Sequence, residues 1–391
     1  MVSKYYNFKL KKILIYISLL FLCLTSGSVL EGINRVLIFA LYIISLFFLY
    51  VVFYKEKIFY KIELDKYFVF FIFIFSFYGV FANIIRKDLT VFMFLLRLFF
   101  TYSFISFVGY KQFARCFFNI IKIVCIHSIF AFFLQFLFSP ENLPWCTWFP
   151  VIKTFYGVFN YGARENVLGI QVYRNMGLFT EPGILSVYAS IGLLMSYRDK
   201  NKNKFLFLFT LLSTFSTTGL LVIFVFIIFI IYDKKKIYYL FIIVPISAFL
   251  FIYSFANKMD VEKTYSGIQR IADVYFCIKV FFNNWLIGVG FSEDNYIQAF
   301  KTIDAPETMK TFETMLYDRG SSNGALVLFA KGGIIFGLLY FILLINQKII
   351  KENKIKVLVI LGICLFGEPL AFTSLFLIFI ASAIIPTTHG V

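Results

Sequence analysis

Along most of this chain, apolar residues come in runs that have no polar face. A stretch such as Phe68 to Phe75 is apolar on every side, and short clusters rich in Lys, Gly or Pro separate one run from the next. A hydrocarbon layer takes about 20 residues of helix to cross and leaves no backbone polar group without an internal partner, so such runs predict membrane-spanning helices. The alternation that a lipid-facing β-barrel requires is absent. In order, the runs predict about a dozen spans. They lie at 12–30, 36–53, 67–84, 91–109, 117–138, 181–197, 204–216, 218–232, 237–254, 323–346, 356–367 and 371–386.

Two of these stretches admit either one long tilted helix or a hairpin of two short ones. In Lys204 to Tyr232 the break would fall at Ser216-Thr217-Thr218-Gly219, and in Lys356 to Pro386 at Gly367-Glu368-Pro369. Charge decides between the readings, because cytoplasmic loops collect Lys and Arg. With both drawn as hairpins, the basic loops 1–12, 54–66, 110–116, 197–204, 233–236 and 347–356 share one side, and the short connections opposite carry only Arg35, Arg86 and Lys87. A single helix over Lys204 to Tyr232 would instead put Asp233-Lys234-Lys235-Lys236 outside. The fold expected is therefore all-α and polytopic, one transmembrane domain over 1–391 with both termini cytoplasmic.

Two large loops, 139–180 and 255–322, then lie on the outer side. In the second, Ile268, Ile271, Tyr275, Ile278 and Phe282 recur at helical spacing, with Arg270, Asp273 and Cys277 on the other side. That pattern predicts an amphipathic helix lying in the membrane interface.

Composition agrees: 61% of residues are hydrophobic and 15% charged, and the mean hydropathy is +0.85. The net charge of +16 would suit a nucleic-acid binder if it formed one patch. Here it is dispersed among short loops, where it orients the chain and meets anionic lipid headgroups. The basic start, Met1 to Lys12, followed by Ile13 to Leu24 without a small-x-small site, does not predict a cleaved signal peptide. The six cysteines have no metal-binding spacing; Cys146 and Cys277, one in each large loop, could pair in an oxidising compartment but are expected as free thiols. With only His127 and His389 in the chain, histidine-based metal chemistry is not expected, and no cofactor is implied.

Candidate chemistry gathers on the nine arginines. Arg115 and Arg198 fall in inner loops, where Lys otherwise dominates. Arg164, Arg174, Arg270 and Arg319 fall in the two outer loops, and Arg97 interrupts a span. The planar guanidinium binds phosphate oxygens in pairs, so outer arginines suit a phosphorylated or diphosphate-linked ligand, although each also reads as a solvated loop charge. Arg97, inside Leu95-Leu96-Arg97-Leu98-Phe99, needs a cavity or a partner. In the fifth span Lys122 reads as a snorkelling side chain and His127 as a buried hydrogen-bonding one. Glu181-Pro182 and Glu368-Pro369 stand at outer ends of spans. A carboxylate before a helix-starting proline is favoured by the helix dipole, which is one reading of Glu181. The other is a base, near Arg174, that takes a proton from a sugar hydroxyl. Trp145, Trp148, Tyr156 and Tyr161 read either as sugar-stacking or as interfacial aromatics.

Arg174-Asn175-Met176-Gly177-Leu178-Phe179-Thr180-Glu181-Pro182-Gly183 resembles the R-x-x-G-x-F-x-E-P signature of O-antigen and capsular polysaccharide polymerases of the Wzy type, within the O-antigen ligase and polymerase superfamily. Leu212 to Gly219 resembles that superfamily's Ser/Thr-Gly turn between two spans. Arg270, followed by Asn284-Trp285-Leu286-Ile287-Gly288-Val289-Gly290-Phe291, resembles its R…(N/H)-P-L-x-G-V-G-F stretch, with Trp285 where proline is usual. Ser322-Asn323-Gly324 and Lys331-Gly332-Gly333-Ile334 also fit. The likeness is strongest over about 170–345, and the first 140 residues match only as generic spans.

The resemblance implies a GT-C-like lipid-linked glycosyltransferase in a bacterial inner membrane. Such an enzyme joins undecaprenyl-diphosphate-linked repeat units into O antigen, capsule or exopolysaccharide, inverting at the anomeric carbon and releasing undecaprenyl diphosphate without a metal. On this reading Glu181, Arg174 and Arg270 act on the reacting groups, and Arg97, Arg164, Arg319 and Glu368 are secondary contacts to diphosphate or glycan. Partners would be the lipid-linked glycan, membrane lipid and a chain-length regulator protein, with no nucleic acid. A ligase of the same superfamily carries a functional histidine in the second outer loop, and 255–322 contains none, which favours a polymerase. A flippase for lipid-linked sugars stays open as a transporter alternative, although its charges would sit inside the bundle rather than in large loops.

Overall fold

The computed structural model describes residues 2–54, 69, 72–73, 76–77, 90–147, 149, 152–167, 170–197, 203–235, 245, 266–303 and 322–385. Nearly all of the spans predicted at 67–84 and 237–254 lies outside these residues, as does Arg319. The described chain is mostly helical. It runs α1 (Val2–Leu24), α2 (Val29–Ile33), α3 (Arg35–Tyr54), α4 (Thr90–Val108) and α5 (Tyr110–Leu134). Three strands follow, β1 (Lys153–Phe155), β2 (Phe159–Val167) and β3 (Ile170–Asn175). Then come α6 (Pro182–Met195), α7 (Asn203–Ser213), α8 (Thr217–Asp233), α9 (Ser266–Asn283), α10 (Glu293–Lys301), α11 (Gly324–Ile345), α12 (Lys354–Gly367) and α13 (Ser374–Ile384).

Helix α6 is the centre of the packing. Every residue from Pro182 to Leu194 is buried, and α5, α7, α8 and α12 all pack against it. Its small residues allow this: Gly192 lies directly under the Phe207 ring of α7. Ser186 and Ser190 return their hydroxyls to the carbonyls of Gly183 and Ser186, so no polar group faces the apolar neighbours unpaired. Helix α13 is buried almost end to end and packs on α4 and α11. Its start is tied to the end of α1, where Thr25 donates to Ser374 Oγ at 3.0 Å and Leu375 N donates to Ser26 Oγ at 3.0 Å.

Four helices are long and apolar enough to cross a membrane: Arg35–Phe53, Thr90–Val108, Tyr110–Leu134 and Gly324–Ile345. Their outward faces are apolar as well. Leu37, Ile44, Phe47 and Phe48 of α3, Ile123, Ile126, Phe130 and Phe133 of α5, and Ile335, Leu338 and Ile342 of α11 are all exposed. Water does not tolerate so much contiguous apolar surface, and lipid does.

Both expected hairpin tips are helix breaks. Helix α7 ends at Ser213 and α8 begins at Thr217, with Phe215 at φ 47° and Ser216 extended between them. Helix α12 ends at Gly367 and α13 begins at Ser374. Elsewhere the boundaries differ from expectation. The loop expected at 110–116 is helical, because Gly109, at φ 79°, turns the chain alone, and Cys116 is therefore buried in α5. The first span ends at Leu24, and the residues after it form the separate helix α2, capped by Ser28, which accepts from Glu31 N.

The first large loop holds a three-stranded antiparallel sheet in the order β1-β2-β3. Tyr156 and Gly157, at φ 51° and 72°, make the first turn, and a bulge between Tyr161 and Arg164 shifts the second pairing. In the second large loop the expected amphipathic helix forms as α9, but its faces are the reverse of a solvated polar side. Asp273 and Cys277 are buried against α10 and α11, whereas Ile271, Ile278 and Phe282 are exposed. Asp273 is satisfied there, accepting from Ser322 N at 2.5 Å and Ser322 Oγ at 2.7 Å, which removes the penalty for burying its charge.

Helix α11 is broken at Gly333, which has φ 71° and ψ −179°. The stretch after α9 repairs the break: Val289 N and Gly290 N donate to the carbonyls of Ala330 and Lys331, each at 3.0 Å, and Ile334 N donates to Trp285 O at 2.8 Å. A side chain on Gly288 would meet Gly333 N at 2.6 Å, so the two glycine-rich stretches fit only as glycine. An interrupted helix whose freed backbone groups are paired inside the protein is the form such a break takes at membrane depth.

Candidate functional site

One end of the bundle brings together the starts of α6, α8, α11 and α13 and the end of α12. Glu368, the residue after α12, lies at its centre. Its backbone is extended, its N–H closes the last turn onto Cys364 O at 3.0 Å, and the residue is only 1% exposed. The carboxylate rests on the first turn of α6, where a Cβ on Gly183 would stand 2.8 Å from Oε2 and closer still to Oε1. The unpaired N–H groups of a helix start favour negative charge at that place. On the other sides, a Cβ on Gly324 would stand 2.5 Å from Glu368 O, and one on Gly367 would meet Thr218 Cγ2 at 2.8 Å. Gly183, Thr218, Gly324 and Gly367, scattered through the sequence, thus form one tight seat.

Two arginines face this seat. Arg270, on α9, places Nη2 3.8 Å from Glu368 Oε1, with its side chain 40% exposed. Arg174 comes from β3. Its Nε donates to Thr214 O at 3.2 Å and lies 3.8 Å from Glu165 Oε1, and the side chain is 18% exposed. Its neighbour Asn175 donates to Ser213 Oγ at 2.8 Å, so the sheet is fastened to the α7–α8 tip. Burial lowers the pKa of Arg174, while Glu165, Glu368 and Glu181 raise it and Arg270 lowers it further, so four charged neighbours act on this guanidinium. Separations of 3.8 Å are ion pairs without hydrogen bonds. Among the described residues Arg174 spends one N–H on a protein acceptor and Arg270 none, which leaves donors for ligand oxygens.

The remaining candidates are dispersed. Glu181 is the N-cap of α6, exposed, with Pro182 after it and no capping hydrogen bond from its side chain, at the mouth of the seat that Glu368 fills. Arg164 is at the surface, where it pairs with Glu141 and lies 4.6 Å over the Tyr173 ring, and it does not join Arg174. Arg97 opens into a separate cavity on α4. His127 stacks on Phe159 at 5.1 Å, and neither ring nitrogen has a hydrogen-bond partner among the described residues, contrary to the hydrogen-bonding role expected of it. Lys122 lies 5.8 Å over the Phe118 ring. Trp145 and Tyr156 are exposed, whereas Tyr161 is buried and donates to Ala131 O at 2.8 Å, making it an anchor rather than a sugar platform. Burial pushes the Tyr161 phenol up to about 12. All six cysteines are free and buried. Among the described residues, no three His, Cys, Asp or Glu side chains could share a metal ion.

Sequence reasoning missed Glu165, and it took Thr214 and Lys331 only as parts of motifs, without a role for either side chain. Glu165 was visible only through the period-two pattern of β2 and β3. Lys331 was visible as a charge inside an apolar run, the same signal that singled out Arg97. Compared with known protein families, curated proteins and solved structures, the chain matches none of them.

Proposed function

We propose that the chain is a lipid-linked glycosyltransferase that joins undecaprenyl-diphosphate-linked repeat units, a polysaccharide polymerase of the Wzy type. The observation that carries the reading is the Arg270–Glu368 pair at one end of an apolar helical bundle, near enough to Arg174 and Glu181 for the charges of Glu368, Arg270 and Glu181 to act on Arg174. Arg174, Arg270 and Glu181 come from β3, α9 and the start of α6, which hold quoted motifs, whereas Glu368, in the α12–α13 turn, lies outside them. On this reading the chain has about a dozen spans in a bacterial inner membrane, cytoplasmic termini and this end of the bundle on the outer face. The exposed apolar side of α9 then lies against the lipid headgroup region.

The chemistry follows from the arrangement. The guanidiniums of Arg174 and Arg270 hold the diphosphate of the donor as negative charge builds on its bridging oxygen. The bond from the anomeric carbon to that oxygen breaks, and undecaprenyl diphosphate leaves. An acceptor hydroxyl attacks the opposite face of the anomeric carbon, the new glycosidic bond forms with inversion, and the hydroxyl proton passes to Glu181. Glu181 suits that role because it is exposed at the mouth. Glu368, shut in under α6, keeps Arg270 in position instead.

The test is a pair of isosteric variants. Glu181→Gln is expected to bind donor as wild type and make no polymer, whereas Glu368→Gln is expected to weaken donor binding. Wild-type chain length from Glu181→Gln would leave that residue as a helix-start carboxylate only.

A further inference from the structure

Beside Pro369 lies a cavity that Arg174, Arg270 and Glu181 do not line. It measures about 610 Å³ and opens between α3, α4, α11 and the α12–α13 turn, within the range that takes small amphiphiles. Arg35, Arg97 and Lys331 bring three cations to its wall. Two of them are already matched: Arg35 lies 3.4 Å from Glu31, and Lys331 pairs with Glu293. Arg97 is not. It is 9% exposed, its Nε is buried without a hydrogen-bond partner, and among the described residues no carboxylate pairs with it. Among the described residues its guanidinium lies over the Phe39 ring, 5.6 Å from Cζ. A guanidinium buried this deeply at membrane depth needs an anion.

The rest of the wall is apolar. Phe94, Phe291 and Phe372 pack on one another with ring centres 5.1–5.9 Å apart, and Met93 and Val36 stand exposed at the rim. Arginine above, an aromatic floor and an apolar rim suit a molecule with a phosphate at one end and a hydrocarbon chain at the other. We propose that this cavity binds the phosphate of a phosphate-bearing lipid, with Arg97 as the principal contact and the lipid chain leaving past Met93 and Val36. Glu293 tunes the site by holding Lys331. On the polymerase reading, the cavity seats a second lipid-linked substrate beside Pro369. The binding itself does not rest on that reading.

The experiment measures binding without turnover. Full-length protein in a neutral detergent is titrated with a long-chain isoprenyl monophosphate and followed by native mass spectrometry. The same isoprenol without phosphate, and inorganic pyrophosphate, serve as separate arms. The monophosphate is expected to bind, the isoprenol to bind at least about tenfold more weakly, and pyrophosphate not to compete at equal concentration, as for a charge-assisted contact plus a buried chain. Arg97→Gln is expected to weaken binding about tenfold, Arg97→Lys to recover part of it, and Glu293→Gln to tighten it by freeing Lys331. Met93→Trp, which fills the rim and leaves every charge in place, guards against misfolding of the Arg97 variants and is expected to block the lipid. Lys153→Gln, a loop charge that does not line the cavity, is expected to change nothing. Equal binding of isoprenol, full competition by pyrophosphate, or wild-type binding by both Arg97→Gln and Met93→Trp would overturn the proposal.

Discussion

The contact between Gly183 and Glu368 makes a prediction whose size follows from geometry. Replacing Gly183 by Ala puts a methyl group 2.8 Å from Glu368 Oε2 and closer to Oε1, whereas ordinary contact begins at 3.4 Å. The carboxylate must therefore withdraw by about 0.6 Å at one oxygen and more at the other. It has little room to do so, since Glu368 is 1% exposed. Overpacking of this kind costs about 1–3 kcal/mol. Against that stands a gain of roughly 0.5–1 kcal/mol from exchanging Gly for Ala in a helix. Unfolding by SDS, followed by circular dichroism, should thus show Gly183→Ala less stable by up to about 2.5 kcal/mol. In a Glu368→Ala background the methyl group has room, so the same change should be neutral or stabilising. The coupling between the two sites is then about 1–3 kcal/mol. Additive effects within about 0.5 kcal/mol would refute the packing argument.

Other predictions test separate parts of the account. Gly333→Ala forces a side chain into backbone at φ 71° with Ile287 C 2.7 Å away, and should lower the yield of folded protein by destabilising it at least ~2 kcal/mol, read by SDS unfolding. Asp273→Ala strands the Ser322 donors and should cost about 1–3 kcal/mol in the same assay, while leaving the helix content unchanged. A spin label at Phe282, on the exposed apolar side of α9, should be relaxed more by oxygen than by an aqueous nickel chelate; the reverse order would place that face in water. Arg270→Gln should abolish polymer with unchanged protein in the membrane, and polymer of normal length would remove Arg270 from the chemistry.

How far the sequence discloses this architecture differs from element to element. The two hairpin tips are legible because Ser216-Thr217-Thr218-Gly219 and Gly367-Glu368-Pro369 interrupt apolar runs with residues that cap and break helices. Helix α9 is legible by its period, but not the direction of its faces. That depends on Asp273 meeting Ser322 and Cys277 meeting Tyr296, at an Sγ–Oη distance of 3.0 Å, across 49 and 19 residues respectively. The sheet at Lys153 to Asn175 is obscured by its bulge and by Gly and Asn inside β2, which blur the alternation. For the site, Arg174 and Arg270 stand out as arginines in the two large loops, where the charge bias of the expected topology does not call for them. Glu368 reads only as the tip of a hairpin, because its burial arises from contacts with Gly183 and Gly324, far apart in the chain. Arg164 looks equivalent to Arg174 in sequence, and the bulge between Tyr161 and Arg164 with the pairing to Glu141 sends it to the surface.

The most direct test of the central claim is a glycan ladder. Purified protein in liposomes is given an undecaprenyl-diphosphate-linked repeat unit and the products are sized on a gel. The account predicts a ladder rising by one repeat unit per step, with no other protein and with a chelator present, and its loss in Arg270→Gln. Single units that stay unchanged, from protein shown to bind the donor, would contradict it and return the weight to transport or ligation.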